Sequence, residues 1–208
     1  MTATLTDPIG LELPPVPVPG RRNVLLVGAL LAAAAGTALV GALLAGYFNA
    51  RDVAKAAHHP WPPKGEVMPS VALVVDYLGL LLSAFTAHWT LAAIKIDDRR
   101  QAYLAVAATV GFGLLFVNGM TFCWMRLGAG ATSSTWATHV YAVTVVHVLI
   151  VIVAIAVFVV AGFRVFGGQF SPRHNEPLVA AVVFWDFAVA AGVVIWWFLF
   201  FLQRHIPK

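Results

Sequence analysis

The chain has 208 residues, 61% hydrophobic and only 11% charged, where a soluble domain of this size usually carries about a quarter charged residues. Its formal charge of +4 is dispersed, and no run of Lys or Arg is long enough to track phosphates, which excludes a nucleic-acid partner. The single cysteine, Cys123, rules out an internal disulfide and a Cys-rich metal site.

In chain order, residues 1–22 hold Pro8, Pro14, Pro15, Pro17 and Pro19 and are expected to form a disordered, Pro-rich cytoplasmic tail. Arg21 and Arg22 precede an apolar run of about 25 residues, far longer than the 7–15 of a signal-peptide core, so this segment is expected to stay as a helix. Five apolar spans follow: Asn23–Phe48, Pro69–Ile94, Ala102–Met125, Ala137–Phe163 and Pro177–Leu202. Each is long enough to cross a hydrocarbon core of roughly 30 Å. In lipid each must satisfy its backbone polar groups within the segment, which makes all five helices. The fold class is therefore all-α, an integral membrane bundle of five transmembrane helices over residues 23–202, with a C-terminal tail at 203–208.

Between the first two spans, Gly46, Tyr47 and Phe48 put aromatic rings where the hydrocarbon run ends, as at a membrane interface. Arg51, Asp52 and Lys55 come next, and His58-His59-Pro60-Trp61-Pro62-Pro63 turns the chain back. The other connections are short, and five spans put the termini on opposite sides. Lys and Arg divide seven to six between the two sides; those closest to the spans favour a cytoplasmic N-terminus and a C-terminus outside. Gly28, Gly36, Gly41 and Gly46 in the first span, and Gly111, Gly113 and Gly119 in the third, read as seams for close helix approach.

Polar residues inside the spans are the informative ones, because an Asp at mid-membrane costs on the order of 2.5–3.5 kcal/mol on insertion scales. Asp76 and Asp186 are two such residues, accompanied by His88, Asn118, Thr121, His139 and His147. At a rise of about 1.5 Å per residue, Asp76, Asn118, Thr121 and His147 fall in one half of the membrane and His88 and Asp186 in the other. The expected groupings are Asp76 with His147 or Asn118, and His88 with Asp186. A haem would need two facing His at one depth, yet His88 lies too far from His147, and His139 and His147 point about 80° apart on one helix. Only His58, His59 and His139 could gather as metal donors. No nucleophile–base set marks a catalytic centre, and Ser83 sits mid-helix with no triad context.

An aromatic pair, an Arg three or four residues on and then Trp61-Pro62-Pro63 resemble the end of the first helix in the five-helix bacterial form of cytochrome c oxidase subunit III, of the haem-copper oxidases. Further along, Ser83-Ala84-Phe85-Thr86 is similar to the family's Ser-Ser-x-Thr, and Leu115–Leu127 to its Phe-x-x-Gln-x-x-Glu-Tyr stretch. Tyr141–Val148 resembles Thr-Gly-x-His-Gly-x-His-Val, with His147 at the second His, and Phe184–Phe187 resembles the start of Tyr-Trp-His-Phe-Val-Asp. The chain departs from the pattern at Gly36 and Thr121, where the family has Glu, at Thr144 and Asp186, where it has His, and at Val189, where it has Asp.

The resemblance implies a divergent, non-catalytic subunit of a bacterial inner-membrane respiratory oxidase that stabilises subunit I and binds phospholipid. It implies oxidase subunits I and II and membrane lipids as partners, with no cofactor in this chain and haem and copper in the partner subunits. Asp76, His88, Asn118, Thr121, His147, Trp185 and Asp186 are the candidate intramembrane polar or subunit-contact residues; no catalytic, cofactor or metal residue is expected. Three alternatives stand beside it: a partner of a quinol oxidase or nitric oxide reductase, a small carrier using Asp76 and Asp186 at the midplane, and a paralogue that has lost oxidase binding.

Overall fold

A computed structural model of the chain describes residues 23–172 and 174–201. The tails expected at 1–22 and 203–208, together with Arg173 and Leu202, lie outside the described residues. Five helices follow one another: α1 Val24–Ala56, α2 Ser70–Lys95, α3 Arg99–Met125, α4 Thr135–Phe166 and α5 Glu176–Trp196, which runs on into a π-helical turn at Trp197–Phe201. All five are long and apolar enough to cross a membrane. The end at which α1, α3 and α5 begin is the basal end below, and the opposite one the distal end.

Helix boundaries follow local chemistry. The α1 helix outruns its expected span by eight residues, because Asn49–Ala56 is rich in Ala, Arg and Lys and meets no proline before Pro60. The aromatic pair Tyr47–Phe48 therefore lies inside the helix, and the exit loop expected from Arg51 begins only at Ala57. There His58 takes a left-handed conformation (φ 58°), and the His59 N–H reaches back to the Ala54 carbonyl at 2.9 Å. Asp97 ends α2 in the same way and Gly168 ends α4, each sparing a terminal carbonyl from burial without a partner. At the starts, Asp98 accepts the Gln101 N–H at 3.0 Å and Ser134 accepts the Ala137 N–H at 3.0 Å, so each caps its helix. For α1 the acceptor is remote: Glu176, at the first turn of α5, takes the Leu25 N–H at 3.1 Å.

Helices α2, α3, α4 and α5 close into a four-membered ring in that order, and α1 lies outside it against the seam of α4 and α5. The ring is filled by Leu73, Leu80, Phe116, His147, Phe158 and Trp185, all fully buried. On α1 only Val40, Leu44 and Tyr47 are buried. Of its glycines Gly36 alone is tightly used, its bare backbone receiving the tip of the Phe187 ring, while Gly28 and Gly41 face open space. The expected small-residue seam is thus a single notch. On α3, Gly113 accommodates Trp185 and Ile155, and Gly119 accommodates the Asp76 carboxylate, whereas Gly111 faces open space.

The distal loops are tied to one another. Trp61 donates its indole N–H to the Tyr47 hydroxyl at 2.9 Å, and the two rings meet edge-on. Glu66 accepts from Ser133 at 3.2 Å and from Ser134 at 2.5 Å, which fastens the first loop to the start of α4.

Candidate functional site

The polar residues of the bundle separate into three places. Nearest the basal end, His88 on α2 and Asp186 on α5 are joined, Nε2 to Oδ2, at 2.9 Å. With the carboxylate ionised the hydrogen of this bond lies on Nε2, because a carboxylate only accepts. The pair sits on the outer surface of the bundle, its side chains 58% and 39% exposed. His88 lies seven residues before the end of α2 and Asp186 ten after the start of α5. These spacings are about 10 and 15 Å along the helices.

At a similar depth but inside the bundle, Trp185 donates its indole N–H to Ser83 Oγ at 2.9 Å, and Ser83 in turn donates to the Leu80 carbonyl. Thr109 on α3 stands 2.8 Å from the Thr86 hydroxyl of α2, and Thr86 donates to the Ser83 carbonyl. A belt of short hydroxyl side chains thus bonds α2, α3 and α5 across a packed interior. Ser83 and Thr109 are completely buried. Among these residues the sequence picked out Trp185. Ser83 and Thr86 stood out there only within a family-like motif, Ser83 also as a mid-helix serine without triad context, and Thr109 carried no signal, because its part depends on which residue of α3 faces α2.

Toward the distal end lie Asp76, Tyr77 and His147. His147 is fully buried and donates from Nε2 to the Ala188 carbonyl of α5 at 3.0 Å. Its ring lies parallel to Tyr77 (centroids 6.0 Å apart, 5° between planes) and edge-on to Phe116. The expected bond between Asp76 and His147 does not form. His147 points along α4 toward α5, while the Asp76 carboxylate lies on the backbone of α3 at Gly119, and neither Asp76 Oδ2 nor His147 Nδ1 meets a partner. Asn118 does not take up Asp76 either: it points outward from the bundle, as does Thr121, whose hydroxyl bonds back to the Val117 carbonyl at 2.9 Å. Thr144, at the position of a family His, accepts the Trp124 indole N–H at 3.0 Å and so ties α3 to α4.

Because Asp76 Oδ2 has no partner to lose, Asp76→Asn is expected to leave the unfolding free energy within about 0.5 kcal/mol of the parent in mixed detergent micelles. A loss above about 1 kcal/mol would reveal a bond to the carboxylate that the structure does not contain.

Two clefts share a rim. The first is an apolar cleft of about 590 Å³ between α1, α4 and the start of α5, walled by Gly28, Ala32, Val157, Val160 and Phe184. The second, about 600 Å³ and polar, opens at the basal end among Gln169, His174, Asn175 and Glu176. Arg164 and Pro177 line both, so an apolar channel leads to a polar mouth with a guanidinium on its lip. Both volumes fall in the range of about 300–1,000 Å³ usual for small-molecule sites. Among the described residues no group of three or more His, Cys, Asp and Glu side chains is placed to hold a metal ion, and His58, His59 and His139 do not form one.

Residues 22–205 match the family described as cytochrome c oxidase subunit III. Among curated relatives, "Cytochrome c oxidase subunit 3" of Thermostichus vulcanus is 25% identical over 163 residues, which cover 78% of this chain and 81% of that protein. The protein of the same name from Synechocystis is 27% identical over 187 residues, covering 88% and 78%. That of Marchantia polymorpha is 28% identical over 142 residues, 67% of this chain, and the match spans about half (52%) of the plant protein.

Proposed function

The chain belongs to the cytochrome c oxidase subunit III family, and from that membership we propose that it works as a non-catalytic subunit of a bacterial respiratory haem-copper oxidase, bracing subunit I and holding phospholipid. The carrying observation is the match over residues 22–205, which takes in all five helices. The bracing role is supported by how the interior polar groups are used: His147, Ser83, Thr109 and Thr144 all enter bonds that join one helix to another or close onto their own backbone. Haem and copper belong, on this reading, to subunits I and II. The basal end faces the cytoplasm, where Lys95, Arg99, Arg100 and Arg164 meet anionic headgroups.

The paired clefts support the lipid part of the proposal. An acyl chain lies along Gly28 and Ala32, where the missing side chains leave room beside α4, and the phosphate comes to Arg164 at the mouth. Arg164→Glu is expected to lower phospholipid retention, read by native mass spectrometry, by about tenfold or more; that corresponds to the ~1.5–3 kcal/mol of a hydrogen bond to a charged group. Unchanged retention would remove lipid from this cleft.

The subunit assignment is tested by purifying the tagged chain from its native membrane in mild detergent and recording a visible spectrum of the reduced eluate. The expected result is haem absorption with stoichiometric larger subunits. A colourless eluate, from membranes whose oxidase survives the same detergent, overturns it.

A further inference from the structure

We propose that the open face of α5 between α1 and α2 receives a transmembrane helix of an oxidase core subunit, and that this helix brings a hydrogen-bond donor to Asp186. The inference rests on the subunit reading above and adds the face and the chemistry of the contact.

The face exists because α5 packs on both α1 and α2 while those two helices stand apart. On α5, Asp186 and Ala190 are one turn apart and lie toward this gap, with Val183 and Val194 on the same side. On α2, Leu81 and His88 are two turns apart and look the same way, and both are exposed. The floor of the groove is therefore small and apolar, and its walls are two helices. Its polar feature is the bonded pair His88–Asp186.

Depth decides what can cover the pair. The α2 helix has 26 residues, about 39 Å, so it overhangs a core of roughly 30 Å by a few ångströms at each end. His88 and Asp186 then lie some 6–10 Å inside the hydrocarbon, below the level of the headgroups. Acyl chains carry no donor, and leaving a carboxylate against them is costly at this depth. Nε2 and Oδ2 serve each other, which leaves Asp186 Oδ1 without a hydrogen bond among the described residues, on a side chain that is 39% exposed. What satisfies it is a donor carried at that depth by protein. A second copy of this chain fits poorly: a groove is concave, and a twofold contact would set concave against concave and leave both floors uncovered. A single helix is convex and matches a groove walled by α1 and α2, and the small floor lets its backbone come close.

The test is site-specific photo-cross-linking in native membranes, with p-benzoylphenylalanine placed at Leu81 or Ala190 in the groove, or at the exposed Leu114 on α3 as the control. Exposed positions are chosen so that the label does not disturb folding. The expected result is a cross-link to a haem-bearing subunit from both groove positions, at least tenfold stronger than from Leu114. Equal or stronger cross-linking from Leu114, or groove adducts only with lipid or with a second copy, overturns the inference. In those cases haem in the purified eluate keeps the subunit reading intact. A colourless eluate without any subunit cross-link sinks both.

Discussion

Trp185→Ala is expected to destabilise the bundle by about 3–5 kcal/mol, read as reversible unfolding in mixed detergent micelles. In lipid the unfolded reference keeps its side chains in hydrocarbon, so the loss is one of packing and hydrogen bonding rather than of transfer from water. Trp185 is 1% exposed and packs on Phe158 with ring centroids 5.3 Å apart. Its far edge lies over Gly113, where an added Cβ would stand 2.8 Å from the ring. Helices α3, α4 and α5 therefore all close on this one side chain, and alanine would leave a cavity that three rigid helices cannot collapse. The indole N–H adds a second contribution through Ser83. Ser83→Ala alone leaves that donor buried without a partner and is expected to cost about 1–3 kcal/mol. Trp185→Phe combined with Ser83→Ala should cost less than the two singles added, because both ends of the bond then vanish together. A Trp185→Ala loss below about 1 kcal/mol would show that the helices do not depend on this junction.

The sequence carried the five helices plainly, since blocks of twenty or more apolar residues have one solution in a membrane. It carried depth as well: a rise per residue was enough to set His88 beside Asp186, and the structure joins them. It could not carry rotation about the helix axis. Asp76 and His147 share a depth, yet they do not meet, because Asp76 is turned onto α3 and His147 onto α5. The hydrophobic pattern gives little help here, since lipid and the bundle interior accept the same residues. The glycines failed to announce themselves for the same reason. Gly36 and Gly28 are alike in sequence, and only the course of α5 makes the first a contact and the second a cleft wall. Boundaries outside the hydrocarbon, such as the two added turns of α1, depend on capping and propensity rather than on apolar length.

Gly192→Ala is the second large effect, expected to cost about 1–3 kcal/mol by overpacking although it adds one methyl group. A Cβ there would stand 2.8 Å from His147 Cε1, 3.0 Å from Nε2 and 3.1 Å from Leu80 Cδ2. His147 is poorly placed to yield: its ring is confined by Tyr77 on one side and Phe116 on another, and its Nε2–H is bonded to Ala188, one turn before Gly192. Gly111→Ala makes the matching control, because that position faces open space, and alanine there should be neutral or slightly stabilising through its helix propensity. If the clash with the imidazole is the cause, shortening the imidazole relieves it. His147→Ala with Gly192→Ala should then be more stable than the two single losses predict, by a coupling of about 0.5–3 kcal/mol. Additive losses would place the strain in the backbone approach of α5 to α2 instead. A Gly192→Ala variant as stable as the parent would mean that α4 and α5 are not as closely held as the bond from His147 to Ala188 makes them.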